Sequence, residues 1–132
     1  MNTNRMILLV EDDDLDADLA SRAFQRAEVT NPLVPVRDGV EALDYLFARG
    51  KYAVRDVHDL PVFVLLDLNI PKISGLKVLE TIREDERTRH LPVIFISPSG
   101  EERDRLGAYK HLANCYVIKP LDYAICSCGT AA

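Results

Sequence analysis

Met6-Ile7-Leu8-Leu9-Val10 runs directly into Glu11-Asp12, Val62-Phe63-Val64-Leu65-Leu66 into Asp67, and Cys115-Tyr116-Val117-Ile118 into Lys119. Short apolar runs of this kind read as strands of a parallel sheet buried on both faces. Ligands of such sheets bind beyond the carboxyl ends of the strands. If the three strands are parallel and close, three carboxylates and one ammonium converge on a single crevice.

Working outward, strands and helices alternate. The first helix is predicted over residues 15–27, with Leu15, Leu19, Ala23 and Ala27 on its inner face and Asp13 or Asp14 as its cap. Asn31-Pro32 ends it, and Leu33-Val34-Pro35-Val36 reads as a second strand. Proline has no N–H to donate, so this strand belongs at a sheet edge. Arg37-Asp38-Gly39 turns into a helix over 40–48, with Leu43 and Phe47 inward and Gly50 closing it. Residues 51–60 read as a polar, flexible connection. A third helix follows over 76–83 (Leu76, Leu79, Ile82 inward), a fourth strand over 92–96, and a polar fourth helix over 101–112. This pattern predicts an α/β domain: a doubly wound, five-stranded parallel sheet of order 2-1-3-4-5 with helices on both faces. One domain over residues 1–122 accounts for the chain, with 123–132 as a short tail.

The 132 residues carry a net charge of −5 at a pI near 5.1, so no basic surface points to nucleic acid or membrane. No secretory signal and no apolar stretch of membrane-spanning length is evident, and cytoplasm is the expected location. The three cysteines, Cys115, Cys126 and Cys128, form neither a disulfide framework nor a zinc pattern.

The crevice has its own chemistry. Glu11, Asp12 and Asp67 would repel one another unless a cation intervened, and Mg2+ suits them as a hard ion that takes carboxylates, a carbonyl and waters. A carboxylate beside the metal can act as a nucleophile toward phosphorus, with Lys119 balancing phosphoryl charge and the Ser97 hydroxyl donating from the fourth strand.

Leu8-Leu9-Val10-Glu11-Asp12-Asp13, Leu65-Leu66-Asp67-Leu68-Asn69-Ile70-Pro71, Ser97 and Tyr116-Val117-Ile118-Lys119-Pro120, in this order, resemble the motifs of CheY-like receiver domains of two-component response regulators. The stretch 37–47 and Ala113-Asn114-Cys115-Tyr116 narrow the resemblance to single-domain regulators paired with bacterial and cyanobacterial phytochrome histidine kinases. The resemblance implies that Asp67 is the phosphoacceptor, with Asp12 binding Mg2+ directly, Glu11 binding it through water and Asn69 through its carbonyl. It further implies that Lys119 contacts the phosphoryl group and that Ser97 and Tyr116 respond to it. The implied partner is a sensor histidine kinase of the bacteriophytochrome type, and the implied self-association is a homodimer through the fourth helix, fifth strand and fifth helix. The protein is expected to signal by protein contact, not to be a dedicated enzyme. The alternative is a binding module of the same fold that works without phosphorylation. A phosphohydrolase is disfavoured because Asn69 stands where a second acid is needed.

Two departures stand out. Pro98 follows Ser97, where the family usually offers a backbone N–H to the phosphoryl group. The tail from Leu121 to Ala132, with Gly129, is a poor helix former, so the fifth helix is expected to be truncated or atypical.

Overall fold

The computed structural model describes residues 5–67, 70–97 and 115–118, with Ser97 and 115–118 described by their backbone alone. The elements, in chain order, are β1 (Ile7–Val10), α1 (Asp14–Arg26), β2 (Leu33–Val36), α2 (Gly39–Leu46), a 3-10 turn (Gly50–Tyr52), β3 (Val64–Asp67), α3 (Gly75–Glu84), β4 (Val93–Ser97) and β5 (Cys115–Ile118). The strands are parallel and run β2-β1-β3-β4, the order the sequence implied, with β5 beside β4 so that Ser97 is level with Ile118.

Alternation along each strand splits the core in two. Leu8, Val10, Val64, Leu66, Val93 and Phe95 face α2 and α3, meeting Ala42, Leu43, Leu46, Val78, Leu79 and Ile82. Ile7, Leu9, Leu65, Ile94 and Ile96 face the other way, against Ala20, Ala23 and Phe24 of α1. Leu8, Leu65 and Leu66 have no exposed surface, and burying each such side chain contributes about 1.5–3 kcal/mol.

The inner face of α1 differs from the expected one. Leu15 and Leu19 are 66% and 37% exposed, while Ala20, Ala23 and Phe24 are buried. A strict four-residue series gains about 40° per step on a helix of 3.6 residues per turn, so positions 15 to 27 spiral off any one face. The two alanines let the helix sit close to the sheet, and Phe24 packs at 6.1 Å from the ring of Phe63.

The connection after α2 also departs from expectation. Ala48, at φ 53°, ends the helix in the left-handed region, and Gly50, at φ 57°, opens the 3-10 turn instead of closing α2. Residues 51–60 are tied down. Tyr52 meets Tyr45 edge-on at 5.0 Å, and the Arg55 guanidinium lies 3.8 Å from the Tyr45 ring centre while donating to the carbonyls of Tyr45 and Asp59. Among the described residues, no helix is long and apolar enough to cross a membrane. The expected fourth helix and the tail lie outside the described residues.

Candidate functional site

Val10 is level with both Val36 of β2 and Leu66 of β3. The next residue on each strand is therefore Arg37, Glu11 or Asp67, three charges in one row across the C-terminal edge of the sheet. Glu11 and Asp67 are each only 3% exposed. The Glu11 N–H donates to the Val36 carbonyl at 2.9 Å, and the Glu11 carboxylate accepts from the Asp13 N–H at 3.2 Å. Asp13 caps α1, accepting from the N–H groups of Leu15 (2.8 Å) and Asp16 (3.1 Å). The cap turns the chain at residues 11–13, and Asp12 is left half-buried beside the two strand-end acids.

Glu11, Asp12 and Asp67 each bring one carboxylate oxygen to within 4.8 Å of the others. Close, partly buried carboxylates are costly without a compensating cation. A set made only of hard oxygens, with one member half-exposed and reachable by water, fits Mg2+ or Mn2+ and not a soft metal. The structure thus brings together three of the residues singled out in the sequence. Asn69, Pro98, Lys119 and the side chains of Ser97 and Tyr116 lie outside the described residues.

The loop after β3 is held from beneath by α2. The Gly39 N–H donates to the Pro71 carbonyl at 3.3 Å, Lys72 adopts φ 71°, and its ammonium lies 3.4 Å from Asp38. Asp38 also caps α2, accepting from the Glu41 N–H at 2.7 Å. Ser74 caps α3 through the Lys77 N–H at 3.2 Å.

Sequence reasoning gave Arg37 and Glu41 no role at the site. Arg37 donates to the Asp12 carbonyl at 2.8 Å and to the Asp14 carboxylate, a contact that pushes its guanidinium further above its ordinary range. Glu41 accepts from the Arg37 N–H (3.0 Å), the Tyr52 hydroxyl (2.6 Å) and the Lys51 ammonium (2.9 Å). Burial pushes the Glu41 carboxyl up, but the hydrogen bonds from Tyr52, Lys51 and Arg37 outweigh it and hold the group at about 2. The available signal was position: Arg37 directly follows the second strand, at the same sheet edge as the acids.

A doubly wound parallel sheet carrying an acid triad at the ends of β1 and β3 defines a receiver, and residues 7–125 match the response regulator receiver domain. The chain belongs to that family. It is 42% identical over 118 residues to the "Probable methanogenesis regulatory protein FilR2" of Methanothrix harundinacea, covering 89% of this chain and 74% of that protein. It is 33% identical over 118 residues to response regulator Rcp1 of Synechocystis sp., covering 89% and 78%. The Mn2+-bound form of an Rcp1 response regulator superposes with a TM-score of 0.76 at 30% identity, over 96% of this chain and 88% of that one. The bacteriophytochrome response regulator AtBRR superposes with a TM-score of 0.88 at 40% identity, over 97% and 91%. The chain thus resembles the phytochrome-associated response regulators.

Proposed function

We propose that this protein is a phosphoacceptor response regulator that takes a phosphoryl group onto Asp67 from the phosphohistidine of a sensor kinase. The carboxylate oxygen of Asp67 forms the new bond to phosphorus, and the bond from phosphorus to the histidine nitrogen breaks, leaving that electron pair on the imidazole. Asp12, Asp67 and the carbonyl of Asn69 would hold Mg2+, with Glu11 reaching it through water. When bound, the ion offsets charge on the phosphoryl oxygens. Lys119 and the Ser97 hydroxyl would contact the phosphoryl group, and Ser97 and Tyr116 would relay its arrival to the surface. The observation that carries this reading is the convergence of Glu11, Asp12 and Asp67 oxygens within 4.8 Å. The Mn2+-bound form of Rcp1 supports a divalent ion in this fold.

On this reading the fold is completed as the five-stranded 2-1-3-4-5 receiver. The protein works in the cytoplasm, its kinase is of the bacteriophytochrome type, and its output passes through protein contacts, including a homodimer through the fourth-helix and fifth-strand surface.

The test is labelling by acetyl phosphate with and without Mg2+. Wild type should label only with the ion, and Asp67→Asn should not label. A wild-type protein that stays unlabelled under both conditions would instead be a binding module that keeps the fold without the chemistry.

A further inference from the structure

Arg37 occupies an unexpected place. It is the cation in the row Arg37, Glu11, Asp67 that the strand register sets across the sheet edge. By charge alone, a guanidinium beside an acid triad competes with a bound cation. Its hydrogen bonds give it a different task.

One nitrogen donates to the backbone carbonyl of Asp12 at 2.8 Å, and another donates to the carboxylate of Asp14. Arg37 therefore grips the chain on both sides of Asp13, the residue that caps α1. The planar guanidinium fork aims two separate nitrogens at the two acceptors in a fixed geometry, whereas an ammonium offers its donors from a single atom on a flexible stem. Arg37 is itself anchored. Its own N–H donates to Glu41 at 3.0 Å, and the other oxygen of Glu41 is held by Tyr52 and Lys51. A continuous line of contacts thus runs from the 3-10 turn through α2 to the peptide carrying Asp12.

The geometry points to Arg37 as a positioning residue for the metal site: it straps the 12–14 segment to β2 and α2 so that the Asp12 carboxylate is presented beside Asp67. The inference rests on the metal reading given above and extends it to a residue that touches no ion. It differs from a purely electrostatic role in the sign of its consequence. If Arg37 acts only through charge, its removal strengthens binding of a divalent cation, and a lysine in its place changes nothing. If it positions Asp12, its removal weakens binding and lysine restores only part of the loss.

The experiment titrates Mn2+, the metal alone, into wild type, Arg37→Ala, Arg37→Lys and Asp12→Asn, reading free Mn2+ by electron paramagnetic resonance with thermal unfolding alongside. Arg37 is exposed, so the variants are expected to unfold near the wild-type temperature. Positioning predicts that Arg37→Ala raises the Mn2+ Kd about three- to tenfold, the range that one intramolecular hydrogen bond of ordinary net strength can supply, with Arg37→Lys in between. An unchanged or lower Kd in Arg37→Ala, while wild type binds and Asp12→Asn does not, overturns the positioning role and leaves the metal reading standing. A wild-type chain that binds no Mn2+ overturns both.

Discussion

At Gly39 the first turn of α2 runs against the loop that follows Asp67. A Cβ added there would stand 2.5 Å from the Ile73 carbonyl oxygen and 2.7 Å from the Ile73 Cβ. The nearest obstacle is backbone, which cannot swing aside as a long side chain does. Either α2 or the 70–73 loop must shift, and overpacking of this kind costs about 1–3 kcal/mol. Gly39→Ala is therefore expected to lower the urea midpoint with little change in slope, and to slow acetyl phosphate labelling because the displaced loop begins three residues beyond Asp67. An unaltered midpoint would show that the contact relaxes freely.

Helix endings here are uneven in quality. The N-termini of α1, α2 and α3 each carry a side-chain cap, from Asp13, Asp38 and Ser74. The C-terminal side of α2 has Ala48 at φ 53°, a conformation in which the Cβ crowds the backbone and which glycine adopts without penalty. Relief of the crowded Cβ, about 1–2 kcal/mol, exceeds the extra unfolded-chain entropy of glycine, about 0.5–1 kcal/mol, so Ala48→Gly should stabilise the protein by up to about 1 kcal/mol, read as a higher urea midpoint; a lower midpoint would mean that the entropy of the unfolded chain dominates. The contrast explains what the sequence disclosed at this scale. A cap at Asp13 or Asp14 was legible because acidic residues before an apolar helix have one obvious use, and the structure gives the role to Asp13. Gly50 was assigned the role that Ala48 performs, since no local signal marks an alanine for the left-handed region. Leu15 and Leu19 were placed inward because a four-residue series resembles a single helix face over short spans, although it drifts by about 40° per step.

For the whole molecule, Glu41 links stability to pH. Its carboxyl is held at about 2 in the folded state against an ordinary 4.5, so the folded protein favours the ionised form. A group lowered in this way contributes its stability above about 4.5 and loses it as the pH falls from there toward 2. With Lys51 largely exposed and screened, the contribution is on the order of 2 kcal/mol. Glu41→Gln should be less stable than wild type by roughly that amount at pH 7, and the gap should close between pH 4.5 and 2 in urea denaturation. A gap that stays constant across this range would assign the loss to packing instead of charge. The acids at the ends of β1 and β3 could be read from the chain because apolar runs that stop at charge describe strands arriving at a site. The line from Tyr52 through Glu41 to Arg37 could not, because it depends on a turn folding back over α2, and neither spacing nor periodicity encodes that approach.

Pro35 lies in β2, the strand at one end of the sheet. The carbonyls of Pro32 and Val36 point toward β1, where they accept from Ile7 at 2.8 Å and Glu11 at 2.9 Å. Pleat alternation therefore turns Pro35 outward, and its missing N–H leaves a gap in the row of donors that this edge offers to its surroundings. A strand from another molecule cannot continue the hydrogen-bond ladder across that gap. Copies of this protein crowded together are thus blocked from joining edge to edge into an extended sheet on this side, and the short edge strand guards against aggregation through the residue that set its place in the fold.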